Sequence, residues 1–196
     1  MRLVLASASP RRAELLRAAG FSFDVVVTDV DERQRPGETP AVYVRQLAAD
    51  KSAAALRPVD VARLSRDPSA IILGADTTVV VDGDILGKPA DDREAAAMLR
   101  RLSGRAHEVL TGVSLRRGAE EVGRVESTTV HFTTLTEQDI EWYVTSGEGR
   151  DKAGAYAIQG LASRFIPRID GSYSNVVGLP VACVAELLAQ LGINWR

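Results

Sequence analysis

Strand and helix signals alternate along this chain from its first residues, which excludes all-α and all-β architectures before any other property is considered. Arg2 to Ala6 reads as a short buried strand that breaks at Ser7-Ala8-Ser9. Pro10 then stands where the first helical residue tolerates a missing N–H, ahead of Glu14, Leu15, Leu16 and Ala19, and Gly20 closes the helix. A second strand is expected over Ser22 to Thr28, followed by a charged loop from Asp29 to Glu38. Thr39 and Pro40 restart a helix through Leu56, with Val44, Leu47, Ala48 and Lys51 at helical spacing. Pro58 to Ser69 reads as a surface connection. The apolar run Ile71 to Leu73 ends in Gly74-Ala75-Asp76-Thr77, and Val79 to Val81, Asp82-Gly83 and Ile85-Leu86 spell a hairpin.

The same reading continues to the C-terminal end. Asp91 to Glu94 cap a helix to Leu102 that Gly104 stops, and strands at His107 to Arg116 and Glu121 to Phe132 pair around Gly118. Thr136 caps a helix that ends at Gly147, and a glycine-rich stretch runs from Gly149 to Gly160. Phe165 to Ile169 reads as a strand, Gly171 to Gly178 as a loop, and Pro180 as the start of a last helix to Leu191. The class is therefore α/β, and the central hairpins make the sheet mixed rather than all-parallel.

Composition narrows the chemistry. At 196 residues the chain can bury roughly 70% of its unfolded surface, so one domain with room for two lobes needs no disulfide or structural metal. Cys183 is the single cysteine, and His107 and His131 are the only histidines, too few for a Cys/His zinc cluster. Any metal is then held mainly by carboxylates, which favours magnesium or manganese. A net charge of −2 speaks against a nucleic-acid coat. The apolar run Leu3 to Ala6 is too short for a signal segment and no later stretch is long enough to span a bilayer, so no membrane partner and a cytoplasmic location are expected. Cys183, His107, His131, Trp142 and Trp195 read as packing or strand residues.

Only three of the 24 basic residues are lysines, Lys51, Lys88 and Lys152. A compact ammonium differs from a guanidinium fork wherever phosphate or a proton is handled, so surviving lysines mark places to look. Ser7-Ala8-Ser9-Pro10-Arg11-Arg12 joins a strand end to a helix N-terminus with two guanidinium groups, an arrangement suited to phosphate. Arg100-Arg101 and Arg116-Arg117 show that paired arginines also occur as solvated surface in this chain. Asp76 directly follows an apolar strand, where an unpaired carboxylate is costly; metal ligand, general base and structural cap all remain open for it. Glu32 is a second acid, in a charged loop. Arg11, Arg12, Lys51 and Lys88 around a carboxylate and a divalent ion would suit a polyphosphate. Neither a P-loop nor a dinucleotide-binding glycine motif is present. Lys152 is open between a phosphate contact and an ion pair with Asp151, and Ser172, Tyr173 and Ser174 read as loop composition.

Taken in order, LASASPRR, the VDE acid loop, AADKSAA, GADTTV, LGKP, RLSGRAHEVLTGV, DKAGAYAIQG and DGSYSNVVGLP make the chain resemble the Maf family of nucleotide pyrophosphatases. Within it, Thr77 after Asp76 and the AYAIQG segment resemble the branch acting on dTTP and UTP; the branch acting on 7-methyl-GTP departs at both places. The resemblance implies a single domain over residues 1–196, with an elongated mixed sheet, flanking helices and two lobes around a central cleft, similar to the inosine triphosphate pyrophosphatases (Maf/Ham1) and often a homodimer. It implies hydrolysis of a nucleoside triphosphate, canonical or modified, to the monophosphate and pyrophosphate with a divalent metal. On matching positions, Asp76 is general base or metal-associated carboxylate and Glu32 helps hold the metal. Arg12, Lys51 and Lys88 contact the polyphosphate, the two lysines as part of the catalytic set. Ser7, Arg11, Thr77 and Gln159 complete the substrate-binding set, with Arg11, Thr77 and Gln159 at the family's specificity positions. The Gln159 amide offers a donor and an acceptor that match O4 and N3–H of uracil or thymine but not the reversed pattern of cytosine. The rival reading is a non-catalytic nucleotide-binding regulator linked to septum formation.

Overall fold

A computed structural model describes residues 2–56 and 70–194. The expected surface connection at 58–69 and Trp195 lie outside the described residues. The elements run β1 (Leu3–Ala6), α1 (Pro10–Ala18), β2 (Phe23–Val26), α2 (Pro40–Ala54), β3 (Ile71–Val81), β4 (Asp84–Leu86), α3 (Asp92–Leu102), β5 (Ala106–Arg117), β6 (Glu120–His131), α4 (Glu137–Ser146), β7 (Arg168–Asp170), α5 (Tyr173–Val177) and α6 (Val181–Gln190). Two 3-10 turns, Ala153–Ala155 and Leu161–Phe165, precede β7. The sheet order is β2-β1-β3-β5-β6-β7, with β4 paired to β3. β1 is parallel to both β2 and β3, whereas β3–β4 and β6–β7 are antiparallel, so the sheet is mixed as the central hairpins predict. Among the described residues no helix is long and apolar enough to cross a membrane.

The chain divides into two compact units. Unit 1 comprises residues 1–76, 111–126 and 178–196; unit 2 comprises 77–110 and 127–177. In unit 1, β1 is buried on both faces, as a central parallel strand must be. Leu3 and Leu5 pack with Ile71, Leu73, Leu16, Val184 and Leu187, while Val4 and Ala6 pack with Ile72, Val26 and Ala55. The two-residue period of the strand thus sorts one short segment into two cores.

Helix α2 lies on the strands of unit 1 at unusually close range. A Cβ on Gly112 of β5 would stand 2.1 Å from the Val44 carbonyl oxygen, and one on Gly74 of β3 would stand 2.2 Å from that of Ala48. Val44, Ala48 and Ser52 form one stripe of the helix, and glycine is what lets that stripe reach the strands. A partly buried polar chain fastens the same helix: the Ser52 and Ser114 hydroxyls are 2.8 Å apart, Ser114 donates to Glu121 Oε1 at 2.7 Å, and Arg45 donates to both Glu121 oxygens.

Three expectations are corrected. The strand beginning at Ile71 does not end at Gly74: pairing with β1 ends at Ala6↔Gly74, but β3 runs on to Val81 to pair with β4. Gly74 is a strand residue that admits a helix. The stretch Gly171 to Gly178 contains α5, begun where Ser172 Oγ accepts the Asn175 N–H at 3.3 Å. Phe165 closes a 3-10 turn, and the following strand starts only at Arg168. Cys183 is buried, as expected, and Trp142, 41% exposed, packs with the Arg164 guanidinium over its ring at 4.7 Å and Phe165 against its edge.

In unit 2, α3 and α4 pack with Val79, Val81, Leu86, Val109, Val130 and Phe132. Asp91 and Thr136 cap these helices, Thr136 through a reciprocal capping box with Asp139. His107 sits in this core, its Nε2 2.8 Å from the Tyr156 hydroxyl and its ring edge-on to Phe132 and Tyr156. Burial, with a smaller contribution from His131, pushes its imidazole down to about 4 from an ordinary 6.5. A depressed folded pKa means that between pH 6.5 and 4 the unfolded chain takes up the proton first. Stability is therefore full above 6.5 and falls by about 2–3 kcal/mol as pH drops through that window. Urea midpoints measured from pH 7 to 4 should lose that share of their slope in His107→Gln; equal slopes in both proteins would contradict it.

Candidate active site

The end of β1 and the start of α1 form a corner in unit 1 that carries Ser7, Arg11 and Arg12. Pro10 occupies the first helical turn, where its missing N–H costs nothing, and Ser9 is the N-cap residue. Ser7, buried at the strand end, accepts hydrogen bonds from the Ser9 N–H at 3.2 Å and from Arg12 Nη1 at 3.0 Å. Arg12 Nε donates to the Gly178 carbonyl at 2.8 Å. The fork of Arg12 is thus fixed by two oxygens, a geometry lysine cannot reproduce. Burial lowers the Arg12 pKa from its ordinary value; Asp76 opposes this, Arg11 adds to it and Glu32 opposes it more weakly. Arg11 is half-buried on the neighbouring position.

Asp76 reaches its position because β3 continues two residues past its last pair with β1. Lys51 Nζ, carried by α2, donates to Asp76 Oδ1 at 2.6 Å and is also 2.6 Å from Glu32 Oε1. The Lys51 and Asp76 side chains are 11% and 13% exposed, that of Glu32 56%. Asp76 and Lys51 therefore interact in a poorly solvated place, while Glu32 closes over the ammonium from the solvent side. Its neighbour Asp31 is engaged elsewhere, held by Arg33 to about 2, so Glu32 is the acid of this loop that meets Lys51.

Tyr43 belongs to the same cluster and was not among the residues expected from sequence. Its hydroxyl donates to the Glu32 backbone carbonyl at 2.8 Å, and burial together with the charges of Asp76, Glu32 and Glu38 pushes the phenol up to about 12. Tyr43, Leu47 and Lys51 fall at i, i+4 and i+8 on α2, and this spacing from the suspect lysine was the available signal.

Thr77, Lys88 and Gln159 belong to unit 2. Thr77 is a half-buried residue of β3, Lys88 is exposed in the loop before the buried Pro89, and Gln159 is exposed between the two 3-10 turns. Lys152 forms an ion pair with Asp151, the second of the two roles open to it.

Among the described residues no group of three or more histidine, cysteine, aspartate or glutamate side chains is placed to hold a metal ion on protein ligands alone. A magnesium-type ion does not need one, because it binds through one or two carboxylates and completes its shell with water and substrate phosphate. Glu32 and Asp76, both bonded to one nitrogen, are oxygen donors of the kind that fits. Chemically, the cluster offers a shielded carboxylate as proton acceptor, an ammonium beside it and a fixed guanidinium for phosphate oxygens.

Known proteins similar to this chain agree with one another. The dTTP/UTP pyrophosphatase of Symbiobacterium thermophilum is 54% identical over 190 residues, covering 97% of this chain and 94% of that protein. The dTTP/UTP pyrophosphatases of Anaeromyxobacter dehalogenans (49% identical, 100% and 97% covered) and Hahella chejuensis (51% identical, 98% and 94% covered) are similar along the same length. Among solved structures, the Staphylococcus aureus Ham1 protein aligns over 67% of this chain and 72% of its own, with a TM-score of 0.46 and 16% identity. The family model described as Maf-like protein matches residues 2–191, and the chain belongs to the Maf family.

Proposed function

We propose that this protein is a nucleotide pyrophosphatase that hydrolyses the bond between the α- and β-phosphates of dTTP and UTP, releasing the nucleoside monophosphate and pyrophosphate. The observation that carries the reading is the meeting of Asp76 and Glu32 on the Lys51 ammonium, in a chain about half identical along its length to proteins named for that activity. Asp76 accepts a proton from the attacking water, whose oxygen bonds to the α-phosphorus as the bond to the bridging oxygen breaks. Lys51 and Arg12 draw the polyphosphate oxygens toward the carboxylates and offset the charge that develops on the leaving pyrophosphate. Ser7 holds Arg12 in place for this, and Arg11 adds a second cation at the start of α1. A magnesium or manganese ion held by Glu32 and Asp76 supplies Lewis-acid charge at the phosphates when bound. Lys88 as a further phosphate contact, and Thr77 and Gln159 as base-side residues, rest on the motifs that carry them.

The test is product analysis with dTTP, UTP, CTP, GTP and 7-methyl-GTP in the presence of magnesium or manganese. Monophosphate and pyrophosphate should form from dTTP and UTP; no turnover of any of them would instead favour a nucleotide-binding regulator. Gln159→Glu replaces the amide donor with an acceptor, which suits the amino group of cytosine and opposes O4 of uracil. The UTP-over-CTP preference in kcat/KM should drop at least about tenfold in that variant. An unaltered preference would remove Gln159 from base reading.

A further inference from the structure

Gln159 sits in a turn that unit 2 holds from both sides through one pair of side chains. Tyr143, on α4, is 1% exposed, and its hydroxyl donates to Glu148 Oε2 at 2.8 Å while accepting the Ala157 N–H at 3.1 Å. Glu148 Oε1 accepts the Leu161 N–H at 2.8 Å, and Oε2 accepts that of Ala162 at 3.4 Å. Of the three bonded positions, 157 and 161 flank Gln159 by two residues on either side. Gly160 is part of the same fit: a Cβ there would stand 1.8 Å from Glu148 Oε1, so only glycine lets the carboxylate come this close to the turn. Gly147 ends α4 in a left-handed conformation, which reverses the chain and allows Glu148 to meet Tyr143 only five residues earlier.

We infer that Tyr143 and Glu148 are positioning residues for base selection: they clamp the 157–161 turn and so aim the Gln159 amide. This rests on the proposed role of Gln159 in reading uracil or thymine. A side-chain amide distinguishes O4 from an amino group only when its donor and acceptor are held in register with the base edge, and a free turn would let the amide rotate or retreat. Charge-assisted bonds from two backbone N–H groups to one carboxylate give the turn an anchor stronger than neutral contacts would. The phenol bridges that anchor to the other end of the turn.

The experiment is a double-mutant cycle with Tyr143→Phe, Gln159→Ala and the double variant, reading kcat and KM for UTP and CTP. Tyr143→Phe keeps the ring in the core and removes only the bridge. It should lower the UTP-over-CTP ratio of kcat/KM about tenfold, mainly through KM for UTP, the scale expected for a lost aligned hydrogen bond. In the Gln159→Ala background it should change the ratio no further. A wild-type ratio in Tyr143→Phe, or an equal effect in both backgrounds, overturns the inference. Glu148→Gln is the second variant, read in the same way if Tyr143→Phe does not fold. Should Gln159→Ala itself leave the ratio unaltered, the base-reading role fails and this inference with it; an altered ratio there with none in Tyr143→Phe overturns the clamp alone.

Discussion

Asp76→Asn is expected to cut turnover of dTTP and UTP by about 10³-fold while nucleotide still binds, the size of effect that loss of a positioned general base brings. Asparagine has the shape of aspartate and keeps an oxygen for the Lys51 ammonium, but it cannot take up a proton. The choice of variant matters, because Lys51 is mostly buried and its bond to Asp76 is 2.6 Å long. Leaving a buried ion without its partner costs about 3–5 kcal/mol, and alanine would confuse that loss with the loss of chemistry. Glu32 still lies 2.6 Å from the same nitrogen in the variant, so the ammonium keeps one carboxylate. The measurement is pyrophosphate release alongside equilibrium binding of UTP. More than a tenth of wild-type kcat in Asp76→Asn would exclude Asp76 as the base, and a matching loss of binding would make its role one of affinity.

Much of this architecture can be read from local chemistry. Pro10, Thr39, Asp91 and Thr136 start helices where their side chains or missing donors predict, and Asp82-Gly83 turns β3 into β4. These are short-range effects, and the sequence window that contains them suffices. What was hidden depends on partners far along the chain. Gly74 reads as the end of an apolar run, because the reason for a glycine there, the approach of Ala48 and Ser52, lies more than twenty residues away. Asp76 and Lys51 were each conspicuous, one as a carboxylate after an apolar run and the other as a rare lysine. Their direct bond, and the share that Glu32 takes in it, could not be read from spacing. Tyr43 reads as an ordinary residue of a helix beginning, since nothing local shows that the loop carrying Glu32 folds against it. Helix α5 was masked by Ser172 and Ser174, which favour turns, although the same Ser172 oxygen begins the helix.

The contact between α2 and its glycines carries the largest expected effect on stability, and it connects packing to chemistry. A Cβ at Gly112 meets the Val44 carbonyl oxygen at 2.1 Å, the Val44 carbonyl carbon at 2.5 Å and the Arg45 nitrogen at 2.8 Å. All three are backbone atoms within a helix, so no side chain can swing aside and the helix itself must lift. Overpacking of this kind costs about 3 kcal/mol or more. For a chain of this size that corresponds to a fall in Tm of about 10 °C. Gly112→Ala should therefore unfold well below the wild type in a thermal scan, whereas Gly87→Ala, with nothing within 4 Å of the added carbon, serves as the control. The same displacement acts on function, because the helix that lifts also carries Lys51 to its 2.6 Å bond with Asp76. Folded Gly112→Ala protein, assayed well below its Tm, should then show a lower kcat as well. A Tm within about 2 °C of the wild type would mean that α2 can shift on the sheet at little cost, less than about 1 kcal/mol, and that the glycines do not set the position of Lys51.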